Sequence, residues 1–340
     1  VKIDAQFLEE TSVTSLADVA SQAEEVGLDG VWFSEVNYDP FIGAAVASTT
    51  TARVNLGTGI ALAFPRSPMT TAYTSWGLHT LSKGRFILGI GSQVKAHIER
   101  RFSAKWESPA PKMREYIQSL RTIWDAWQNK KRLRFEGKFY NFSLMTPLFA
   151  PAPVPYPPIP IYMAAVNPIM CQVAGQVADG VLVHPLHSVK YIQERILPAV
   201  HAGAAKGGRK PEDVKVACQV LVAGARNQEE LREKKEVVRQ RVAFYATTPS
   251  YVPVLEVHGW KDLQERLNKK FAEGDLAGMT REVSDEMLDT YAVVGTYDEI
   301  PHKLKQKYEG LVERVMLTIR FDTDKEAKTF GKSLVSVLKG

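Results

Sequence analysis

Short apolar runs rich in branched residues alternate with longer segments of helical period along the 340-residue chain. That alternation constrains the fold more than any single motif, because it is the pattern of a parallel sheet wrapped by helices. Eight runs qualify as strands: Ile3 to Leu8, Gly30 to Ser34, Val54 to Ile60, Phe86 to Ile90, Ile159 to Ala164, Gly180 to His184, Val214 to Ala223 and Val315 to Ile319. Helical period falls between them at Leu16 to Val26, Phe41 to Thr50, Met69 to Leu81, Met113 to Gln128, Ile169 to Val177, Val189 to Ala205, Gln228 to Phe244 and Tyr297 to Tyr308, and Lys325 to Leu338 closes the series. This is the arithmetic of an α/β fold of the (β/α)8 TIM-barrel type, with a doubly wound open sheet as the alternative. A barrel needs only about 250 residues. The surplus is expected in insertions over the barrel mouth of a single domain, at about 92–112, 132–158 and 245–294. The second of these reads as a hairpin and a proline-rich connector, the third as polar helices forming a lid.

Composition narrows the partners. The formal charge of +5 is modest, and its cations are interleaved with acids, as in "REKKEVVRQR" from Arg232 to Arg241, the pattern of a solvated helix face. The balance suits an anionic small molecule, and no nucleic-acid motif is present. Cys171 and Cys218 both lie in apolar segments, which argues against a disulfide framework or a cysteine metal site. No apolar stretch has membrane-spanning length, and "VKIDAQFLEE" lacks the regions of a signal peptide, so the expectation is a cytosolic protein.

In such a barrel the chemistry gathers at the carboxyl ends of the strands. The second run releases Glu35, Asn37, Tyr38 and Asp39; Asp39 before Pro40 reads as a helix cap, whereas a strand-end acid such as Glu35 is costly unless partnered. Gly57 and Gly59 alternate in the third run, either leaving bare backbone for a flat ring or relieving crowding inside the barrel. The fourth run delivers Gly91, Ser92, Gln93 and Lys95 in "LSKGRFILGIGSQVKAHIERRF". This is no dinucleotide turn, since Val94 occupies the third glycine position and no acid closes a second strand. The fifth run leads through Ala164, Ala165, Val166 and Asn167 into a helix with Pro168 in its first turn; this is a phosphate seat or a plain capped start. His184 ends the sixth run near the same seat, and a lone histidine there reads by itself as structural. His97 lacks a second histidine at helical distance, which argues against a metal, and neither a nucleophile elbow nor an activated cysteine is present.

Five segments, "GLDGVWFSE", "LGTGIALAFPRSPMTTA", "LSKGRFILGIGS", "AAVNPIMCQVAGQVADGVLVH" and "VVGTYDEIPHKLKQKYEGLVERVML", resemble the bacterial luciferase-like superfamily and, more closely, its branch dependent on the deazaflavin coenzyme F(420). The resemblance implies a barrel with the cofactor ring at the strand ends, beside Gly91, Ser92 and Gln93. It further implies a phosphate tail at Ala164, Ala165, Val166 and Asn167 near His184, and a non-proline cis peptide at Gly59-Ile60, just before Ala61, supporting the ring. Sugar-phosphate-oxidising relatives carry a histidine where this chain has Val36 and a glutamate where it has Ser92, so their acid/base pair is missing. Glu35, Asn37 and Lys95 are the candidates for polar and electrostatic contacts in its place. The implied activity is hydride transfer between F(420) and an organic substrate, with an FMN-dependent monooxygenase and a non-catalytic cofactor-binding barrel as alternatives, and a homodimer by analogy.

Overall fold

The computed structural model describes residues 1–7, 12–318 and 325–340. Eight parallel strands close on themselves: β1 (Lys2–Phe7), β2 (Gly30–Phe33), β3 (Asn55–Thr58), β4 (Phe86–Gly91), β5 (Ile161–Ala165), β6 (Gly180–Val183), β7 (Lys215–Ala225) and β8 (Arg314–Leu317). β8 pairs with β1 and β6 with β7, which completes the ring, so the structure is the barrel and not the open sheet. The expected ends at Leu8 and Ile319 lie outside the described residues. Among those residues no helix is long and apolar enough to cross a membrane.

Side chains fill the barrel in layers, as period-two alternation requires. The middle layer is apolar and takes one residue from each of six strands: Trp32, Ile87, Tyr162, Leu182, Ala217 and Met316. The third strand gives Gly57 at this level, and there the space is already taken. A Cβ on Gly57 would stand 2.3 Å from Trp32 Cε3. Gly57 therefore relieves crowding and offers no bare surface to a ring.

Below that layer lies a buried ion pair. Arg314 donates to both carboxylate oxygens of Asp4, at 2.6 and 2.9 Å, and Trp32 Nε1 donates to Asp4 Oδ2 at 2.8 Å. Both charged residues are at most 2 % exposed. Burial works against the Arg314 charge, but the adjoining carboxylate outweighs it and raises its pKa. Asn55 accepts a further bond from Arg314 at 3.3 Å, so β1, β2, β3 and β8 are tied at one level.

Three departures from the sequence-based outline have local causes. The third strand ends at Thr58 rather than Ile60, because the Gly59 carbonyl turns to the side chains of Gln6 and Ser34; the Gly59-Ile60 peptide is cis, and pairing resumes at Ala61–Leu62 against Ile90 and Gly91. β7 runs on to Ala225, because its far half pairs with an additional strand, Ala292–Thr296, inside and just beyond the stretch read as lid. The helix expected from Val189 to Ala205 is Val189–Tyr191, a π turn Ile192–Ile196, and Leu197–Lys206. Pro198 has no N–H to continue the regular ladder there.

Removing one partner of the buried pair, as in Asp4→Leu or Arg314→Met, is expected to cost about 3–5 kcal/mol, whereas the double replacement recovers most of that loss. Urea unfolding of the three variants measures both quantities.

Candidate active site

Four strand ends meet at the mouth above the apolar layer. Ile60 and Ala164 are half-buried and pack on that layer, forming its upper surface. Gly91, the last residue of β4, lies between them: a Cβ there would stand 2.4 Å from Ile60 Cδ1 and 3.0 Å from Ala164 Cβ. Three residues predicted from separate strands thus converge on one small apolar floor. Ala61 is buried just behind it, paired with Ile90. After Gly91 the chain turns sharply. Gln93 adopts φ +60° and accepts the Val94 N–H on its own side-chain oxygen, while the Ser92 hydroxyl donates to the Gln93 carbonyl at 3.1 Å.

Next to the floor, β5 runs through Ala165 and Val166 into the ten-residue helix Pro168–Val177. Asn167 is its N-cap and accepts from Met170 N at 3.0 Å, which satisfies one of the free N–H groups at the helix start. The Val166 carbonyl accepts the Tyr191 hydroxyl at 2.9 Å. Ala165 is in register with Val183, so His184 follows directly beside this turn.

His184 accepts the Leu186 N–H on Nδ1 at 3.1 Å, which leaves its proton on Nε2. Burial, with His187 nearby, pushes its pKa down to about 3, so the ring is a neutral donor at physiological pH. Tyr245 and Tyr251 lie against it, with ring centroids 4.8 and 4.3 Å away. This brings the chain that follows β7 to the end of β6. His187 is buried deeper: its Nδ1 donates to the His184 carbonyl at 2.8 Å, so Nε2 accepts from the Tyr308 hydroxyl at 3.0 Å.

The acid of the second strand is fully engaged. Glu35 accepts the Leu62 N–H at 2.8 Å, and Arg66 donates to both its oxygens at 2.9 and 2.7 Å. The same guanidinium reaches Asp39 at 2.8 Å, and Asp39 caps the helix Pro40–Thr50 through Phe41 N. Burial opposes the Arg66 charge, but the two carboxylates raise its pKa above the ordinary value. Glu35 therefore braces the segment just past Ile60. Asn37 is exposed on the neighbouring turn, and the Val36 carbonyl accepts from Arg101. Lys95 opens the short helix Lys95–Arg100, is largely exposed, and has its ion pair with Glu99 at 3.9 Å rather than with another candidate.

Gln6, Ser34, Arg66, Tyr245 and Tyr251 escaped the sequence reading. For Gln6 a signal exists: Asp4 and Gln6 are alternate polar residues in an apolar strand, and alternation turns both into the barrel. Gln6 donates from Nε2 to the Gly59 carbonyl at 2.8 Å and to Ser34 Oγ at 2.9 Å, and Ser34 Oγ donates to the same carbonyl at 2.9 Å. The backbone of Gly59 is thus occupied by protein and not bare.

Comparison with known proteins agrees with this architecture. The family model described as luciferase-like monooxygenase matches residues 2–314. An uncharacterised protein of Mycobacterium tuberculosis is 45% identical over 300 residues, 88% of each chain. A 5,10-methylenetetrahydromethanopterin reductase of Archaeoglobus fulgidus is 27% identical over 348 residues, 100% of each chain. Among solved structures, the coenzyme F(420)-dependent tetrahydromethanopterin reductase of Methanopyrus kandleri superimposes with a TM-score of 0.78 at 23% identity, covering 98% of this chain and 97% of that one.

The neutral histidines give a stability test. His187 has its folded pKa lowered to about 4, so its contribution is fully present above the unfolded value near 6.5 and is lost as pH falls through 4. At about 1.4 kcal/mol per pKa unit the loss is roughly 3 kcal/mol. Denaturant unfolding from pH 7 to pH 4 should show a correspondingly shallower decline in His187→Gln than in the wild type.

Proposed function

Because the chain belongs to the luciferase-like monooxygenase family, we propose that it is an oxidoreductase that passes a hydride between the deazaflavin coenzyme F(420) and a small organic substrate. The observation that carries this reading is the apolar floor of Ile60, Gly91 and Ala164, set directly beside the start of the helix Pro168–Val177. A planar ring needs a flat apolar support, and a phosphate tail needs free backbone N–H groups reached past small side chains. The residues present fit both demands. Ile60, Gly91 and Ala164 would carry the ring, with Ala61 supporting them and Ser92 and Gln93 at its edge. Ala165, Val166 and Asn167 would hold the phosphate, and His184 would offer a neutral N–H donor beside it. The likeness to a solved reductase described as coenzyme F(420)-dependent supports the deazaflavin.

When bound, the deazaflavin supplies the carbon that accepts or returns the hydride. The protein's part is to position and to exclude water. The apolar layer of Trp32, Ile87, Tyr162, Leu182, Ala217 and Met316 closes the barrel from below, so the supported face of the ring would meet no solvent from that side. Glu35 and Arg66, neutralising each other, fix Leu62 and so the far side of the floor. Glu35 acts in this reading as a brace, while Asn37 and Lys95 stand outward, where they can meet a substrate. A reduced-FMN monooxygenase is the second reading, favoured by the description of the family itself.

Fluorescence titration with F(420) and, in parallel, with FMN separates the two. Selective deazaflavin binding, weakened at least about a hundredfold in Ala164→Phe by filling the ring's space, is the expected outcome. Selective FMN binding would move the assignment to oxygen chemistry, and equal binding by Ala164→Phe would remove the floor from the site.

A further inference from the structure

The Gly59 backbone is held by three hydrogen bonds, from β1, from β2 and from Ser34 just past the end of β2. Its N–H donates to the Phe33 carbonyl at 2.7 Å, and its own carbonyl accepts from Gln6 Nε2 at 2.8 Å and from Ser34 Oγ at 2.9 Å. The orientation of the Gln6 amide follows from these partners. The Gly59 carbonyl can only accept, and Ser34 spends its single proton on it, so the Gln6 nitrogen must be the atom that faces both. The consequence is that Gln6 Oε1 is buried without a partner. Gln6 itself is 3 % exposed. An unpartnered buried acceptor destabilises the fold, and an aliphatic side chain of the same length would avoid it. A glutamine in this position is explained by what its donor does.

What the donor does is fix the peptide that precedes Ile60. Ile60 is the half-buried side chain that touches the apolar layer beneath it and closes on Gly91. With both bonds in place the Gly59 carbonyl is drawn toward β1 and β2. We propose that Gln6 and Ser34 are positioning residues that clamp the Gly59 carbonyl and thereby set Ile60 as the floor on which the cofactor ring rests. This deepens the proposed function and rests on it: neither side chain touches the ring, and both act through Ile60.

The test uses the full chain and three variants, Gln6→Met, Ser34→Ala and Ser34→Thr, each titrated with F(420) and with FMN while the absorbance spectrum of the bound ring and the thermal midpoint of the cofactor-free protein are recorded. The clamp predicts that Gln6→Met and Ser34→Ala fold, bind the preferred cofactor roughly tenfold more weakly, and shift the spectrum of the bound ring toward that of the free one. Ser34→Thr, which restores the hydroxyl, returns both affinity and spectrum. Unchanged affinity and spectrum in the two folded variants would overturn the clamp. So would failure of both to fold, since the pair would then serve the barrel alone. If the wild type binds neither cofactor, the cofactor reading itself fails, and the role assigned to Gln6 and Ser34 falls with it.

Discussion

The barrel depends on the buried pair between Asp4 and Arg314. It joins the first and last strands of the ring, and through Trp32 and Asn55 it reaches the second and third as well. Two charges taken out of water stabilise a structure only when their remaining hydrogen-bonding capacity is met. Here Asp4 accepts from both Arg314 and the Trp32 indole, so the carboxylate that closes the ring also orients the largest side chain of the apolar layer. Trp32 in turn requires the missing side chain at Gly57. The position of the floor is therefore inherited from the base of the barrel.

Above that base the polarity changes twice. The apolar layer excludes water and lowers the local dielectric, which strengthens any electrostatic contact made at the mouth. The rim over it is polar. Glu35 and Asp39 share Arg66, and His184 is held neutral by burial.

The eight strands were legible because each is a short apolar run bounded by turn residues, and closure followed from their number. The extra strand Ala292–Thr296 carries the same signal, but it stands in a stretch already assigned to the lid and pairs with an overhang of β7 whose length the sequence does not mark. Within the site, residues whose chemistry is local were readable. Asp39 and Asn167 cap the helices that their neighbouring prolines announce, and Gly91 ends its strand. Residues whose role is set by a distant partner were not. Glu35 is braced by Arg66 from 31 positions along the chain, and Gln6 serves a carbonyl 53 positions away. Alternation shows that Gln6 turns inward, but nothing in the spacing names the partner of either residue.

The most direct measurement is a crystal structure of the protein grown with coenzyme F(420). The account predicts ring density in contact with Ile60 and Ala164, with the first phosphate at Ala165, Val166 and Asn167, where the helix Pro168–Val177 begins. Density for the ring elsewhere on the molecule, with the floor of Ile60, Gly91 and Ala164 left uncovered, would contradict it.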